Sequence, residues 1–163
     1  MESATPNNSD TLVIVTGATA SGKTALAVEL AQALGTEIIS ADSRQLYRDL
    51  TVGTAPPSAD QLAAVPHHFV GNLGLGQYYS AAQFEEDVMR LLPDIFSRCD
   101  SRAVMAGGSM MYIDAVTKGI DDIPTVTPEI RTAIYKQFEE EGLSPILAEL
   151  KETDPIHYNE VDR

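Results

Sequence analysis

The run Gly17-Ala18-Thr19-Ala20-Ser21-Gly22-Lys23-Thr24 constrains this chain more than any other feature. It fits G-x-x-x-x-G-K-[ST], and it stands where that pattern has a mechanism. TLVIVTG, a short apolar run rich in β-branched residues, precedes it, and the helical stretch TALAVELAQALG follows, with Gly35 as its stop. Glycines let the backbone curl until successive N–H groups point inward, and the helix N-terminus adds the positive end of its dipole. Lys23 brings a point charge to a bound phosphate, and the Thr24 hydroxyl suits a Mg2+ ligand. An ordinary glycine-rich turn is the competing reading, and the flanking strand and helix count against it.

The rest of the chain continues the same architecture. TEIISAD repeats the strand pattern and ends on Asp42, which makes a βαβ unit and predicts a parallel sheet with its chemistry at the C-terminal ends of the strands. Residues 51–79 are punctuated by Gly and Pro and read as irregular, with a short strand near HHFV. Ser80 can cap a helix on which Phe84, Val88, Leu91, Leu92, Ile95 and Phe96 recur at helical spacing and Pro93 is a candidate kink. RAVMAGG reads as a third strand and SMMYIDAVTKG as a helix closed by Gly119. Beyond Ile120, DDIPTVTP reads as a linker, and TPEIRTAIYKQFEEEG and SPILAELKE as two amphipathic helices, with no closing element in TDPIHYNEVDR. Three strands are few for a parallel α/β domain, so the chain reads as truncated. The expectation is a disordered stretch 1–10, an incomplete phosphate-loop α/β core over 11–120 and the start of a helical insertion over 121–163.

Composition excludes several functions. With 44% apolar residues in 163, the chain can bury a core. A net charge of −13 makes it a poor electrostatic partner for nucleic acid, and any RNA reading must answer that objection. A single cysteine, Cys99, rules out an internal disulfide and a Cys-based zinc site and reads as a buried thiol. MESATPNNSD lacks the apolar centre of a signal peptide and no apolar run reaches the roughly 18 residues of a membrane span, so a cytoplasmic protein with no membrane association is expected.

Four further features are candidates for chemistry. Asp42, ahead of Ser43, Arg44 and Gln45, falls beside the phosphate loop, where a carboxylate can bind Mg2+ indirectly or accept a proton; a turn cap is an equally good reading. Gly107-Gly108-Ser109 ends the third strand facing the same crevice, although a tight turn explains it as well. His67 and His68 are adjacent and point differently in most backbones, which favours structural roles over metal ligation. Met105, Met110 and Met111 read as core filling, Glu139-Glu140-Glu141 as a solvated face, and Arg131 as a surface ion-pair partner.

In order along the chain stand GATASGKT, EIISADSRQLYRDLTVGTAPP, VPHHFV, QYYSAAQF and AGGSMMYIDAV. Together they closely resemble the tRNA dimethylallyltransferases, also called tRNA isopentenyltransferases, from Leu12 to about Pro155. The resemblance implies a fold like that of the P-loop kinases and a different reaction. A dimethylallyl group passes from dimethylallyl diphosphate to the exocyclic amine of the adenosine 3′ of the anticodon, with diphosphate as leaving group. Under it, residues Gly17 to Thr24 hold the diphosphate, with Lys23 catalytic and Thr24 on Mg2+. Asp42 accepts the proton of the amine, and Ser43, Arg44, Gln45, Ser109 and Arg131 contact tRNA at its anticodon stem-loop. Ser109 stands where the family usually carries Thr, which keeps the hydroxyl and drops a methyl. The target adenine is expected to leave its stack and enter a channel. Family members run to roughly twice this length, so the later, basic half of the machinery would lie outside these residues, and a monomer is expected. An enzyme that prenylates free adenine nucleotides, a small-molecule kinase and a non-catalytic phosphate-binding domain are the other classes that the loop admits.

Overall fold

The computed structural model describes residues 9–18, 20–120 and 126–161. Thr19, nearly all of the expected disordered start and most of the expected linker fall outside them. The chain divides into two compact units, Met1–Asp121 and Asp122–Arg163.

In the first unit the elements run β1 (Thr11–Thr16), α1 (Lys23–Leu34), β2 (Ile38–Ser40), α2 (Ala59–Ala64), β3 (His67–His68), α3 (Ala81–Arg98), β4 (Arg102–Gly107) and α4 (Met110–Lys118). The strands form one parallel sheet in the order β1-β4-β2-β3. The three strands expected from sequence are β1, β2 and β4, with β1 at one edge, and the expected HHFV strand is the two-residue β3 at the other.

Both faces of this sheet are covered, because its strands are apolar on both sides. On one face Val15, Ile38 and Val104 pack with Ala27, Val28 and Ala31 of α1. On the other, Ile39 and Met105 pack with Phe84, Val88 and Ile95 of α3 and with Tyr112 and Ile113 of α4. Phe84 stacks on Tyr112 with ring centroids 4.7 Å apart and meets the Phe69 ring edge-on at 5.1 Å. Burial holds the Tyr112 hydroxyl above the usual phenol range.

The helix boundaries follow capping chemistry. Gly35 ends α1 at φ 64°, a left-handed conformation that costs glycine nothing. Ser80 opens α3 with a reciprocal capping box to Gln83, and the helix runs on through Pro93 at the loss of one backbone bond. Cys99 is buried at the end of α3.

Three sequence expectations need correction. Residues 51–79 are not wholly irregular, since Ser58 and Gln61 make a second capping box and start the short helix α2. Among the described methionines only Met105 fills the core; Met110 and Met111 are 52% and 73% exposed. The buried face of α4 is set by Tyr112, Ile113 and Ala115, which turns its first two residues outward. The third correction lies in the second unit. That unit consists of α5 (Pro128–Glu141), α6 (Leu143–Thr153) and α7 (Pro155–Glu160). The last was not expected, although Asp154, whose carboxylate accepts from the His157 N–H at 2.9 Å, caps it with Pro155 in its first turn.

Candidate functional site

At the C-terminal edge of the sheet the chain leaves β1, β2 and β4 as loops that converge. The loop after β1 curls because Ala20 and Gly22 both adopt left-handed conformations, at φ 63° and 85°. Ser21 N–H closes a turn onto the Ala18 carbonyl at 3.2 Å. The Lys23 ammonium reaches back across the loop to the same carbonyl, also at 3.2 Å. Thr24 follows in the first turn of α1, and its hydroxyl makes no hydrogen bond among the described residues.

The loops after β2 and β4 are fastened to each other. Ala41 N–H donates to the Ala106 carbonyl at 2.8 Å, and Ser109 N–H donates to the Ala41 carbonyl at 3.1 Å. Ser109 Oγ accepts from Ser43 N–H at 2.9 Å and sits 3.2 Å from Ser43 Oγ. This approach requires glycine at 107, where a Cβ would lie 2.0 Å from the Ala41 carbonyl oxygen. The Gly107-Gly108-Ser109 turn is therefore a clasp between strands.

Asp42 takes the geometry of a turn cap. Its Oδ1 accepts the N–H groups of Arg44 at 3.0 Å and Gln45 at 3.4 Å, as a turn cap does. Its Oδ2 makes no hydrogen bond among the described residues, and Asp42 is one of the residues that line the crevice. Gln45 is fully engaged: its Oε1 accepts from Ser40 at 3.2 Å, and its Nε2 donates to the carbonyls of Thr54 at 3.1 Å and Ala55 at 3.0 Å. It pins the 53–55 segment against β2.

These loops enclose a crevice of about 600 Å3 lined by Ala20, Gly22, Lys23, Thr24, Asp42, Ser43, Arg44, Gln45 and Ser109, and by Gly53, Thr54, Ala55 and Gln61 as well. Nine of the thirteen site residues read from the sequence in this unit line it; Gly17, Ala18 and Ser21 do not, and Thr19 lies outside the described residues. Sequence reasoning missed the 53–55 wall and Gln61. The signal for Gln61 was available in the Ser58-x-x-Gln61 capping pattern, whereas the 53–55 wall depends on the closure made by Gln45. Arg131 stands on α5 in the second unit, on the wall of an apolar hollow of about 540 Å3 with Ile130, Ile134, Tyr135 and Phe138.

The donor set fits a hard divalent cation. A hydroxyl and a carboxylate line one crevice beside a phosphate loop, and Mg2+ is commonly held by one or two such oxygens together with substrate phosphates. His68, by contrast, is used elsewhere: its Nε2 lies 2.6 Å from Glu37 Oε2 at the other edge of the sheet. No helix of the described residues is long and apolar enough to cross a membrane.

A parallel sheet with helices on both faces and a lysine-bearing glycine loop running into α1 defines the P-loop NTPase-like class of α/β proteins. Within that class the chain belongs to the IPP transferase family, whose model matches residues 45–163. It is 62% identical over 154 residues to tRNA dimethylallyltransferase 2 of Parabacteroides distasonis, covering 94% of this chain and 51% of that protein. Its fold is similar to the full-length tRNA isopentenylpyrophosphate transferase of Bacillus halodurans, with a TM-score of 0.66 and 28% identity over 94% of this chain and 50% of the other. It is similar also to a eukaryotic dimethylallyltransferase acting on tRNA, with a TM-score of 0.73 and 26% identity over 93% of this chain and 38% of the other. The chain thus spans about half the length of the curated relatives it matches.

Proposed function

We propose that the whole protein transfers a dimethylallyl group from dimethylallyl diphosphate to the exocyclic amine of the adenosine 3′ of the anticodon in tRNA. The observation that carries this reading is the meeting of Lys23, Thr24 and the loop amides with Asp42 in one crevice. Diphosphate binding and proton acceptance are the two services that the reaction needs.

The amine nitrogen bonds to the allylic carbon as the carbon–oxygen bond to diphosphate breaks. The loop N–H groups and Lys23 meet the charge that grows on the departing oxygens. Asp42 Oδ2 takes the proton of the amine, while the two backbone N–H groups on Oδ1 keep the carboxylate from swinging away. Thr24 would hold Mg2+, which would add charge neutralisation at the diphosphate. Ser43 and Arg44 border the opening where the acceptor base would enter, and Arg131 serves RNA from the helical unit. Gln45 acts on the acceptor indirectly, by holding the 53–55 wall. The net charge of −13 on these residues leaves most of the RNA contacts to the half of the family's length that they do not cover.

The test supplies the whole protein with tRNA, Mg2+ and labelled dimethylallyl diphosphate. Label in tRNA at the adenosine 3′ of the anticodon is the expected result. Folded protein that leaves tRNA unlabelled, or that transfers the γ-phosphate of labelled ATP in a parallel assay, would overturn the reading.

A further inference from the structure

Behind the phosphate loop lies a second, much smaller cavity of about 20 Å3, bordered by Lys23, Thr24, Ser40, Asp42, Gln45 and His67. A cavity of roughly 10–15 Å3 or more, measured in this way, holds one water when two to four polar groups face it. The polar condition is met here.

His67 reaches this place through strand pairing. It is in register with Ile38, which is in register with Val104, so its side chain lies on the α1 face of the sheet. His68 lies on the opposite face, toward Glu37 and Arg98. His67 Nδ1 sits 2.9 Å from the Val65 carbonyl, which can only accept, so Nδ1 carries the proton. In the neutral ring Nε2 is then an acceptor. That nitrogen is shut off from solvent and has no partner among the described residues, a state that costs free energy unless a donor meets it.

We propose that this cavity is a single-water site and that His67 is a positioning residue for Asp42. The water donates one hydrogen to His67 Nε2 and the other to the Asp42 carboxylate, and its oxygen accepts from the Lys23 ammonium or the Thr24 hydroxyl. A continuous chain then runs from the Val65 carbonyl through the imidazole and the water to the carboxylate. It holds Asp42 from behind, as the Arg44 and Gln45 N–H groups hold it from the side. The role rests on the reading of Asp42 as proton acceptor; the water site does not.

Three variants and one density map test it on the whole protein. Gln places its amide near the position of Nε2, Asn near that of Nδ1, and Phe fills the ring's volume with neither. His67→Phe is expected to lower kcat about 10- to 100-fold, the usual cost of losing an outer-layer contact, with KM for dimethylallyl diphosphate within about 3-fold. His67→Gln is expected to recover most of the loss and His67→Asn to recover less. The reverse order, or wild-type kcat in His67→Phe, would overturn the positioning role. In a crystal structure of the wild-type protein at atomic resolution, water density within hydrogen-bond distance of both Nε2 and Asp42 is expected. A dry cavity would overturn the proposal even if every variant failed to fold. Wild-type protein that leaves tRNA unlabelled would break the functional reading alone, and the density would still decide the water site.

Discussion

Glu37 and Asp42 stand just before and just beyond the same three-residue strand, β2, and meet opposite surroundings. Glu37, 14% exposed, has both oxygens taken: Arg98 Nε donates to Oε1 at 3.1 Å and Arg98 Nη2 to Oε2 at 3.0 Å, with His68 Nε2 against Oε2. The Arg98 guanidinium above all, and His68 after it, hold the Glu37 carboxyl below the usual glutamate range against the opposing effect of burial. Asp42 has one oxygen fixed by two backbone N–H groups and the other without a hydrogen bond among the described residues. One acid is consumed in joining β2, β3 and α3; the other is restrained without being consumed. A polar cluster that is closed on itself serves the fold, and one with an unspent acceptor serves a ligand.

The comparison breaks most severely at Asp42. Asp42→Asn is expected to cut kcat by about 10²- to 10⁴-fold, the range of general base catalysis, while urea unfolding midpoints stay at the wild-type value. Comparable turnover would deny Asp42 the base role. Next in size, Gly107→Ala forces a methyl group into the Ala41 carbonyl, and a loss of about 4 kcal/mol in unfolding free energy is expected, the scale reached only by steric overlap or a similar gross fault. An unchanged denaturation curve would mean that the β2–β4 clasp is looser than described.

Glu37→Gln is expected to cost about 1.5–3 kcal/mol at neutral pH, the value of hydrogen bonds to a charged group. The sign of its pH dependence follows from the lowered carboxyl. The stabilisation is complete above the ordinary glutamate pKa of about 4.5 and is lost as the pH falls through the depressed folded value. Unfolding measured at pH 7 and pH 3 should therefore show the gap between wild type and variant closing in acid. A gap that widens in acid would contradict the assignment. Smallest of all, Ser109→Ala removes one acceptor for the Ser43 N–H, and about 1 kcal/mol is expected. Ser109→Thr should restore it, as read from melting temperatures.

Much of this was legible in the sequence because the signals were local. The phosphate loop, the left-handed stop at Gly35 and the Ser80 cap each depend on a few consecutive residues. The placement of Asp42 needed one more step, the rule that parallel strands gather their chemistry at one edge. What escaped depended on chain segments far apart. Nothing near Gln45 announces that its amide would be spent on Thr54 and Ala55, and nothing near His67 tells that pairing with Ile38 would aim it under α1. The outward turn of Met110 and Met111 was hidden for a related reason, since apolar composition does not say which arc of a nine-residue helix the sheet will cover. The short helices α2 and α7 carried valid cap signals, the first obscured by the prolines before it and the second by its length of six residues.

The brevity of β2 has a mechanical side. With three residues in the ladder, little besides its flanks resists sliding, and a one-residue slip would shift Asp42 by about 3.3 Å and turn it to the opposite face of the sheet. The Glu37 anchor at one end and the Gly107–Ala41 contact at the other act as two stops on a short slide. The position of Asp42 at one edge of the sheet is thus held partly by an ion pair at the other.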